Sequence, residues 1–387
     1  MSKKVKAISH KIELVVNNKI KTYFRKAFGC SRLAYNYGLS RWKENYEKGI
    51  KMSILDIKKE FNAIKKEKFD FVYDVTKYAT QQPFIHLERA ATKFFKDLKK
   101  GKVSYPKFKK KSYTSGSFYI GGDAIRLEMR GDKQYLHIPN LGFVKMTEVL
   151  RYEGHINSVT ITQEGDKFYA SFSVKQENVN KKVEENDLVD SDNIVGIDLG
   201  ILLFAVLSDG TIYEAPKQLK KLLKRLKKLQ RQLSKRQHPK TKSEVLTVKK
   251  SNNYIKLQKK VKKLYMKIKS IREDFLHKVT TEIVNKYDVI VIEDLNVSGM
   301  MKNHKLARSL SDVSFSKFKI LLQYKAEMLG KKVIIADRFF ASSKTCSNCG
   351  NKKEGLKLSE RTYKCEACGL EIDRDLNASI NLKNYIG

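Results

Sequence analysis

Two pairs of cysteines constrain the fold of the segment around them more than any other feature of the sequence. Cys346 and Cys349 form one CxxC pair, Cys365 and Cys368 form a second, and fifteen residues separate the pairs. A glycine follows each pair directly, as the tight turns of a zinc ribbon prefer. Four thiolates complete a tetrahedral Zn²⁺ site with no open position, so one structural zinc is expected in a ribbon spanning about 341–370. Two redox-active pairs are the alternative, although nothing around them resembles a thioredoxin unit.

Three carboxylates lie where an acidic side chain needs an explanation. Asp198 lies inside the hydrophobic strand of the GIDLG segment, and Glu293 directly follows the apolar strand DVIVI. Asp375, in the DRDLNA segment, opens the helix that follows the cysteines. A carboxylate in a buried strand costs several kcal/mol unless it is paired or binds a cation. Ligands are commonly held at the ends of strands in α/β sheets, which favours a functional role for Glu293.

The spacing of these acids is compatible with a shared metal site. They lie 95 and 82 residues apart (293 − 198 and 375 − 293), so separate strands and a helix can bring them to one sheet edge. Oxygen ligands of this kind hold two hard cations, Mg²⁺ or Mn²⁺, as phosphodiester hydrolysis requires. Neither a Ser-His-Asp set nor a Walker loop is apparent. Taken singly, Asp373 or Asp375 as a helix cap and Glu293 as a solvated strand end remain open alternatives.

The charge of the chain indicates a polyanionic partner. Lys and Arg number 79 against 42 Asp and Glu, a formal net charge of +37. Solubility alone needs a net charge of only about 2 to 8 on a small domain. A much larger excess makes the folded chain repel itself until a polyanion neutralises it, so we expect extended contact with a nucleic acid backbone.

Two segments are candidates for that contact. Residues 101–113 combine lysines with Tyr105 and Phe108, which suits phosphate contact and base stacking, although a solvated basic loop is an equally good interpretation. Residues 216–287 read as a helical hairpin broken near Pro239, with leucines along a packing seam and 21 Lys or Arg against one acidic residue between Lys217 and Lys269. The predicted nucleic-acid contacts are Lys107, Lys109, Lys110, Lys111, Lys224, Arg225, Lys228, Arg231, Lys235 and Arg236.

The pattern of strands and helices predicts two lobes. Residues 5–16 alternate as a strand, residues 20–100 have helical periodicity, and 117–174 alternate as hairpins. Gln82-Pro83 is predicted to start a helix, because proline fits the first helical turn. The first lobe, 1–182, is therefore expected to be a β-barrel with a helical insertion at about 20–110. The acidic segment 177–192 reads as a linker to a second lobe, 183–387.

No apolar stretch approaches the roughly 18 to 20 residues of a membrane helix, and no signal-peptide core follows Met1. The sequence therefore predicts a soluble, cytoplasmic protein with no membrane partner.

Several segments together resemble TnpB, the transposon-encoded relatives of type V CRISPR effector nucleases. The resemblance covers most of the chain and is dense in its second half. It rests on GIDLG (196–200), AVLSDG (205–210), REDFLHKV (272–279), VIEDLNVSGM (291–300), QYKAEMLG (323–330), DRFFASSKTCSNCG (337–350) and DRDLNASINL (373–382). Looser matches are FGCSRLAYNYGLS (28–40), QQPFIHLERAATKFF (81–95) and YPKFK (105–109).

The resemblance implies an RNase H-like RuvC nuclease domain, carrying the helical hairpin and the zinc ribbon, after a barrel-and-helix lobe that holds RNA derived from the transposon end. By motif position the catalytic acids fall on Asp198, Glu293 and Asp375, with Asp373 the weaker candidate. The chain departs from the pattern at Leu202-Leu203, where relatives usually carry a polar residue.

The expected activity is RNA-guided, metal-dependent cleavage of double-stranded DNA beside a short motif. Guidance by RNA is implied by the resemblance, since composition cannot show it. One protein chain per guide RNA, no small-molecule substrate, and action at the nucleoid of a prokaryotic cell are also expected. The alternatives are a guided DNA-binding repressor that does not cut, and a transposase or resolvase that uses no RNA.

Overall fold

The computed structural model describes residues 7–111, 115–175, 193–236, 251–295, 314–356 and 360–385. The chain divides into two compact units, Met1–Val179 and Asn180–Gly387. The predicted linker, 177–192, lies outside the described residues. None of the described helices is both long and apolar enough to cross a membrane.

The first unit contains two antiparallel sheets. Its four-stranded sheet has the order β1-β7-β6-β2 and contains β1 (Ala7–Leu14), β2 (Ser115–Gly121), β6 (His155–Glu164) and β7 (Lys167–Lys175). The three-stranded sheet contains β3 (Arg126–Arg130), β4 (Lys133–Ile138) and β5 (Gly142–Lys145). A backbone bridge between Leu14 and Met146 joins the sheets. The hairpins predicted within 117–174 are confirmed, with turns at 130–132 and 164–166, whereas the closed barrel stays a prediction.

Three α-helices lie in the described part of the interval between β1 and β2. They are α1 (Asn18–Glu47), α2 (Ile54–Lys68) and α3 (Tyr78–Leu98). Asn17 and Ser53 cap α1 and α2 by accepting hydrogen bonds from the first-turn backbone. In the first half of α1, Phe24 and Phe28 pack against aromatic rings of the four-stranded sheet, while its second half packs against α2 and α3. The sheet and the helical block therefore share one long helix.

The predicted start of α3 at Gln82-Pro83 is wrong. The helix begins at Tyr78, because the carbonyls of Thr76 and Lys77 already accept the N–H groups of Ala79 and Thr80. Pro83 then lies in the second turn, where it lacks an N–H to donate to the carbonyl four residues earlier. Although this hydrogen bond is missing, Pro83 is buried within the helical block.

The second unit is built on a five-stranded sheet of order β10-β9-β8-β11-β12. Its strands are β8 (Ile194–Leu199), β9 (Ala205–Leu207), β10 (Ile212–Tyr213), β11 (Val289–Glu293) and β12 (Lys332–Ala336). Strands β8, β11 and β12 are parallel, and β9 and β10 extend the sheet antiparallel. The helices are α4 (Lys217–Lys235), α5 (Asn252–Lys286), α6 (Phe315–Met328) and α7 (Arg374–Lys383). A small ribbon, β13 (Thr362–Lys364) with β14 (Glu371–Asp373), runs directly into α7.

Alternation along the strands gives the sheet two different faces. On one face, Val195, Ile197 and Ile292 pack in a core with α5 and α6. On the other face, residues such as Val291 pack against Leu382 of α7. Gly196 allows the closest approach: a Cβ there would lie 2.0 Å from the carbonyl oxygen of Ser379. The backbone of α7 therefore rests directly on β8.

Helices α4 and α5 pack along an apolar seam that includes Leu219, Leu226, Val261 and Leu264. Gln230 contacts Tyr265, and Arg236 contacts the backbone of Asn253, so residue numbers fall along one helix as they rise along the other. The antiparallel arrangement that the sequence predicts is confirmed. Its connection, 237–250, lies outside the described residues.

Candidate active site

Asp198 and Glu293 lie side by side at the carboxyl edge of the five-stranded sheet. The last registered pair of the parallel strands β8 and β11 joins Ile197 to Ile292, so Asp198 and Glu293 are next in register. Because side chains alternate along a strand, both point to the face that carries α7. Both are half-buried.

Asp375 reaches the same face from the first turn of α7. The cap of that helix is Asp373, whose Oδ1 accepts hydrogen bonds from the N–H groups of Asp375 (2.9 Å) and Leu376 (3.0 Å). Asp373 is exposed and committed to the helix end, whereas Asp375 is half-buried and lies 3.7 Å from Nη1 of Arg361. The geometry thus separates the two aspartates that the sequence leaves as alternatives.

The pKa values show that the three carboxylates share one electrostatic environment. Burial, followed by the charges of Glu293 and Asp375, raises the pKa of Asp198 well above its ordinary value. Burial raises the pKa of Glu293 to about 7, with a further contribution from Asp375, although the backbone N–H of Leu199 opposes the rise. Burial and then Asp373 raise the pKa of Asp375, against the opposing charges of Arg361 and Arg374.

These residues fit a divalent cation. Within the described ranges, neither Asp198 nor Glu293 forms a direct ion pair with a lysine or arginine, and the opposing charge of Arg374 on Asp198 is outweighed by burial and by the other carboxylates. Mutual repulsion and burial are what a hard cation with oxygen ligands relieves.

The four cysteines also converge. Their sulfur atoms all lie within 4.8 Å of one another, with 3.6 Å between Cys346 and Cys368 and 3.5 Å between Cys349 and Cys365. Tetrahedral Zn–S bonds of about 2.3 Å place sulfur atoms about 3.8 Å apart, so the cluster has nearly the right size for zinc. The glycine after each pair has positive φ, +74° at Gly350 and +73° at Gly369. These turns require the glycines that the sequence supplies.

Two asparagines of α7 fasten this cysteine cluster to the helix that carries Asp375. The side chain of Asn377 accepts from the N–H of Ser347 (2.9 Å) and donates to the carbonyl of Thr345 (2.7 Å), which are the two neighbours of Cys346. Asn381 donates to the carbonyls of Ser342 (2.8 Å) and Thr345 (2.6 Å). Both asparagines are buried. Sequence reasoning missed them, although their i, i+4 spacing on one helix face is a usable signal.

The predicted nucleic-acid residues of the first unit do not all present free charges. Lys107 and Lys110 are exposed. Lys109 is also exposed over the residue as a whole, but its ammonium lies 4.1 Å from the centre of the Tyr35 ring, and its backbone exchanges two hydrogen bonds with the side chain of Asn36. Burial lowers the pKa of Lys109. This lysine fixes the loop to α1, which leaves Lys107 and Lys110 as the better-placed cations.

The six predicted basic residues from Lys224 to Arg236 are all exposed, five of them on α4 and Arg236 directly after its last residue. Lys224, Lys228, Arg231 and Lys235, at i, i+4, i+7 and i+11, line a shallow groove together with Lys227 and Gln232. A linear row of cations at helical spacing suits a phosphate backbone.

Family models match three segments of the chain. Residues 171–304 match a family described as "Probable transposase", residues 315–382 match "Cas12f1-like, TNB domain", and residues 5–51 match "Helix-turn-helix domain". The last match covers β1 and the single long helix α1 in the described residues.

Two similar proteins cover most of the chain. A protein of Streptomyces pristinaespiralis, with the provisional name RNA-guided DNA endonuclease, is 30% identical over 362 residues, which is 92% of this chain and 84% of that protein. A protein of Escherichia coli (strain K12), provisionally named RNA-guided DNA endonuclease InsQ, is 29% identical over 381 residues, with 92% and 87% covered.

Among solved structures, the fold is similar to that of Cas12f1 in a complex with sgRNA and target DNA. The TM-score is 0.60 at 15% identity, with 96% of this chain and 84% of that chain covered. At that identity the likeness concerns the fold alone.

Proposed function

This chain belongs to the TnpB family, and from that premise we propose that it is an RNA-guided, divalent-metal-dependent DNA endonuclease of a transposable element. The observation that carries the proposal is the convergence of Asp198, Glu293 and Asp375 at one sheet edge, with the pKa of each raised by burial and by neighbouring carboxylates. The names of the two relatives above supply the substrate class.

In this proposal the three carboxylates are the ligands of two Mg²⁺ or Mn²⁺ ions. Such ions lower the pKa of the attacking water and stabilise the leaving oxygen of a phosphodiester. The chain supplies the geometry. The N–H of Leu199 donates to Glu293, β8 places Asp198 beside it, and the Asp373 cap fixes the turn from which Asp375 projects.

We assign the second unit to the RNase H-like RuvC type, since its mixed sheet carries helices on both faces and two of its acids lie on adjacent parallel strands. The two bridged sheets of the first unit support the proposed barrel, with α1 to α3 as its helical insertion. We place the boundary of the two domains near 182.

The guide RNA and double-stranded target DNA are the proposed partners, with one chain per RNA. The charge of +37 supports this, as do the cation row on α4 and the exposed lysines 107 and 110. Phosphate contacts position a nucleic acid without reading its sequence, so target choice is assigned to base pairing with the RNA.

The test is guided cleavage with matched binding measurements. RNA that copurifies with the protein is sequenced, and a matching DNA target is offered with Mg²⁺. Asp198→Ala should abolish cutting while target affinity persists, because affinity comes from phosphate contacts and base pairing. Asp274→Ala removes an exposed carboxylate of α5 and is the matched control that should cut normally. Full cutting by Asp198→Ala would remove the assigned nuclease site.

The same experiment separates two rival functions. A guided repressor would bind the target but leave it intact even with the wild-type chain and Mn²⁺. A transposase or resolvase that uses no RNA would cut or join DNA equally well after the RNA is removed. The presence of all three carboxylates favours a nuclease over a repressor.

The cysteine cluster is assigned to one structural Zn²⁺, since four thiolate ligands leave no coordination position for a substrate. Cys365→Ser should lose zinc and loosen the hydrogen bonds that join the cluster to α7. Elemental analysis that finds no zinc in folded wild-type protein would remove this assignment.

A further inference from the structure

A phenylalanine beside the carboxylates is almost completely exposed to solvent. The side chain of Phe339 is 89% exposed, the largest value among the exposed large hydrophobic residues of the described chain. Phenylalanine usually buries most of its area in a core or an interface. Single exposed apolar residues are common on protein surfaces, so it is the place of Phe339 beside the carboxylates that makes it a candidate contact for a ligand of that site.

The turn that displays Phe339 is firmly held. Asp337 donates its N–H to the hydroxyl of Tyr385 (3.2 Å), and its Oδ1 accepts from the N–H of Phe339 (2.8 Å). The next residue, Phe340, points inward and packs edge-on against Tyr385, with ring centres 4.8 Å apart. One of two consecutive phenylalanines is thus partly buried against Tyr385, and the other is held outward.

The ring also lies at the edge where the carboxylates meet. Ala336, the last residue of β12, pairs with Glu293, so the turn starts directly beside that carboxylate. Arg338 lies between Ala336 and Phe339 in the sequence and donates from Nη2 to Oδ2 of Asp294 at 2.5 Å. This bond ties the turn to the residue that follows Glu293.

A second exposed apolar side chain lies on the other side of Glu293. Leu202, 69% exposed, lies in the loop that follows β8. Since β8 and β12 are the two neighbours of β11, the strands that lead to Leu202 and Phe339 lie about 10 Å apart, with Glu293 between them.

We propose that Phe339 is a positioning residue that stacks on an unpaired nucleobase of the DNA strand being cut, with Leu202 contacting the same strand across Glu293. The inference deepens the proposed function and rests on it. Stacking of a base on an aromatic ring needs no particular sequence. A phosphodiester next to the held base would then lie over the carboxylates.

The small exposed apolar surface of Phe339 and Leu202 favours a nucleotide over a protein as the partner. A stable protein interface buries more than about 1,000 Å² in total, far beyond what one phenyl ring and one leucine offer. A base presents a flat face of the size of a phenyl ring, and it becomes accessible only in an unpaired strand.

The test uses the full chain with its copurified RNA in the Asp198→Asn background, so that it does not depend on cleavage. The probe is a short single-stranded DNA containing 5-iodouracil, which crosslinks under ultraviolet light to a stacked aromatic ring. A crosslink at position 339 is expected, and it should persist in Phe339→Tyr but vanish in Phe339→Leu. Affinity for the strand should fall about tenfold in Phe339→Ala and stay unchanged in Ile320→Ala, an exposed apolar control on α6.

Three outcomes would overturn the inference. These are equal crosslinking of fully paired DNA, unchanged strand affinity in Phe339→Ala, or a change in oligomeric state in Phe339→Ala, which would mark an interface between copies. Failure of the proposed function has a different signature: wild-type protein that never cuts a guided target, whatever the crosslink shows.

Discussion

The side-chain amide of Asn377 donates a hydrogen bond to the backbone carbonyl of Thr345, 2.7 Å away, and so ties the helix that carries Asp375 to the turn that carries Cys346. Its oxygen accepts from the N–H of Ser347 on the other side of the same cysteine (2.9 Å). A single fully buried side chain therefore links the cysteine cluster to the carboxylates.

Replacing Asn377 should disturb both sites at once. Asn377→Leu keeps the branched shape and the number of side-chain heavy atoms but leaves the buried N–H of Ser347 without its partner, which costs about 1 to 3 kcal/mol. We expect a lower unfolding temperature, faster hydrogen exchange in the first turn of α7, and slower cleavage. The exposed Asn252→Leu is the control and should change none of these. Unchanged hydrogen exchange in the Asn377 variant would contradict the link.

The two aspartates of the DRD segment should respond differently to the same change. Asparagine caps helices as well as aspartate does, so Asp373→Asn should fold and cut nearly as the wild type. Asp373→Ala loses the cap and about 1 kcal/mol of stability. Asp375→Asn keeps the shape but loses a charged ligand, so cleavage should vanish while guided binding persists. Loss of cleavage in Asp373→Asn alone would transfer the ligand role to Asp373.

The raised carboxylate pKa values predict a pH dependence of stability in the absence of divalent cations. The unfolded carboxyls titrate near pH 4, whereas the pKa of folded Glu293 is about 7. Between these values the folded chain binds more protons than the unfolded chain, so its stability falls as pH rises from about 4 to about 7. Asp198→Asn should reduce this fall, because it removes one of the repelling charges.

Mn²⁺ should reverse the loss at pH 7. At 100 times its dissociation constant the ion would add about 2.7 kcal/mol to the free energy of unfolding of the wild type, with little effect on Asp198→Asn. Thermal unfolding of protein desalted without a chelator, which leaves zinc in place, measures both effects. Parallel stability curves for the two proteins would contradict the assignment of a shared cation site.

The cation row on α4 should govern the salt dependence of RNA binding. Lys228→Ala and Arg231→Ala each remove an exposed charge from the groove, so each should lower the slope of log affinity against log salt by about 1. Lys278→Ala is the control, since that lysine already pairs with Asp274 at 2.8 Å. Equal slopes for all three variants would place the RNA elsewhere.

Much of the second unit follows from local sequence. The apolar runs around Asp198 and before Glu293 are too hydrophobic for any exposed segment, and both form the central parallel strands that such runs predict. The cysteine spacing predicts the cluster because four ligands at fixed separations admit few geometries.

Other features depend on packing that local sequence does not encode. Two acids separated by one arginine can each open a helix, and only the structure shows that Asp373 is the cap. Consecutive phenylalanines read as core, yet the Asp337 turn exposes Phe339. The helix start predicted at Pro83 is wrong for the same reason. The carbonyls that accept the first hydrogen bonds of α3 belong to Thr76 and Lys77, which precede the proline.

The direct contact between Gly196 and the backbone of α7 also has a consequence for biosynthesis. A ribosome translates all five strands of the sheet, with Asp198 and Glu293, before it reaches Asp375. Because the helix backbone itself covers Gly196, no earlier segment described in the structure occupies that face of β8 in its place. The nascent chain exposes its first unit and the basic row of α4 well before the third carboxylate exists. Synthesis therefore follows an order in which the surfaces suited to holding RNA emerge before the site suited to cutting DNA is complete.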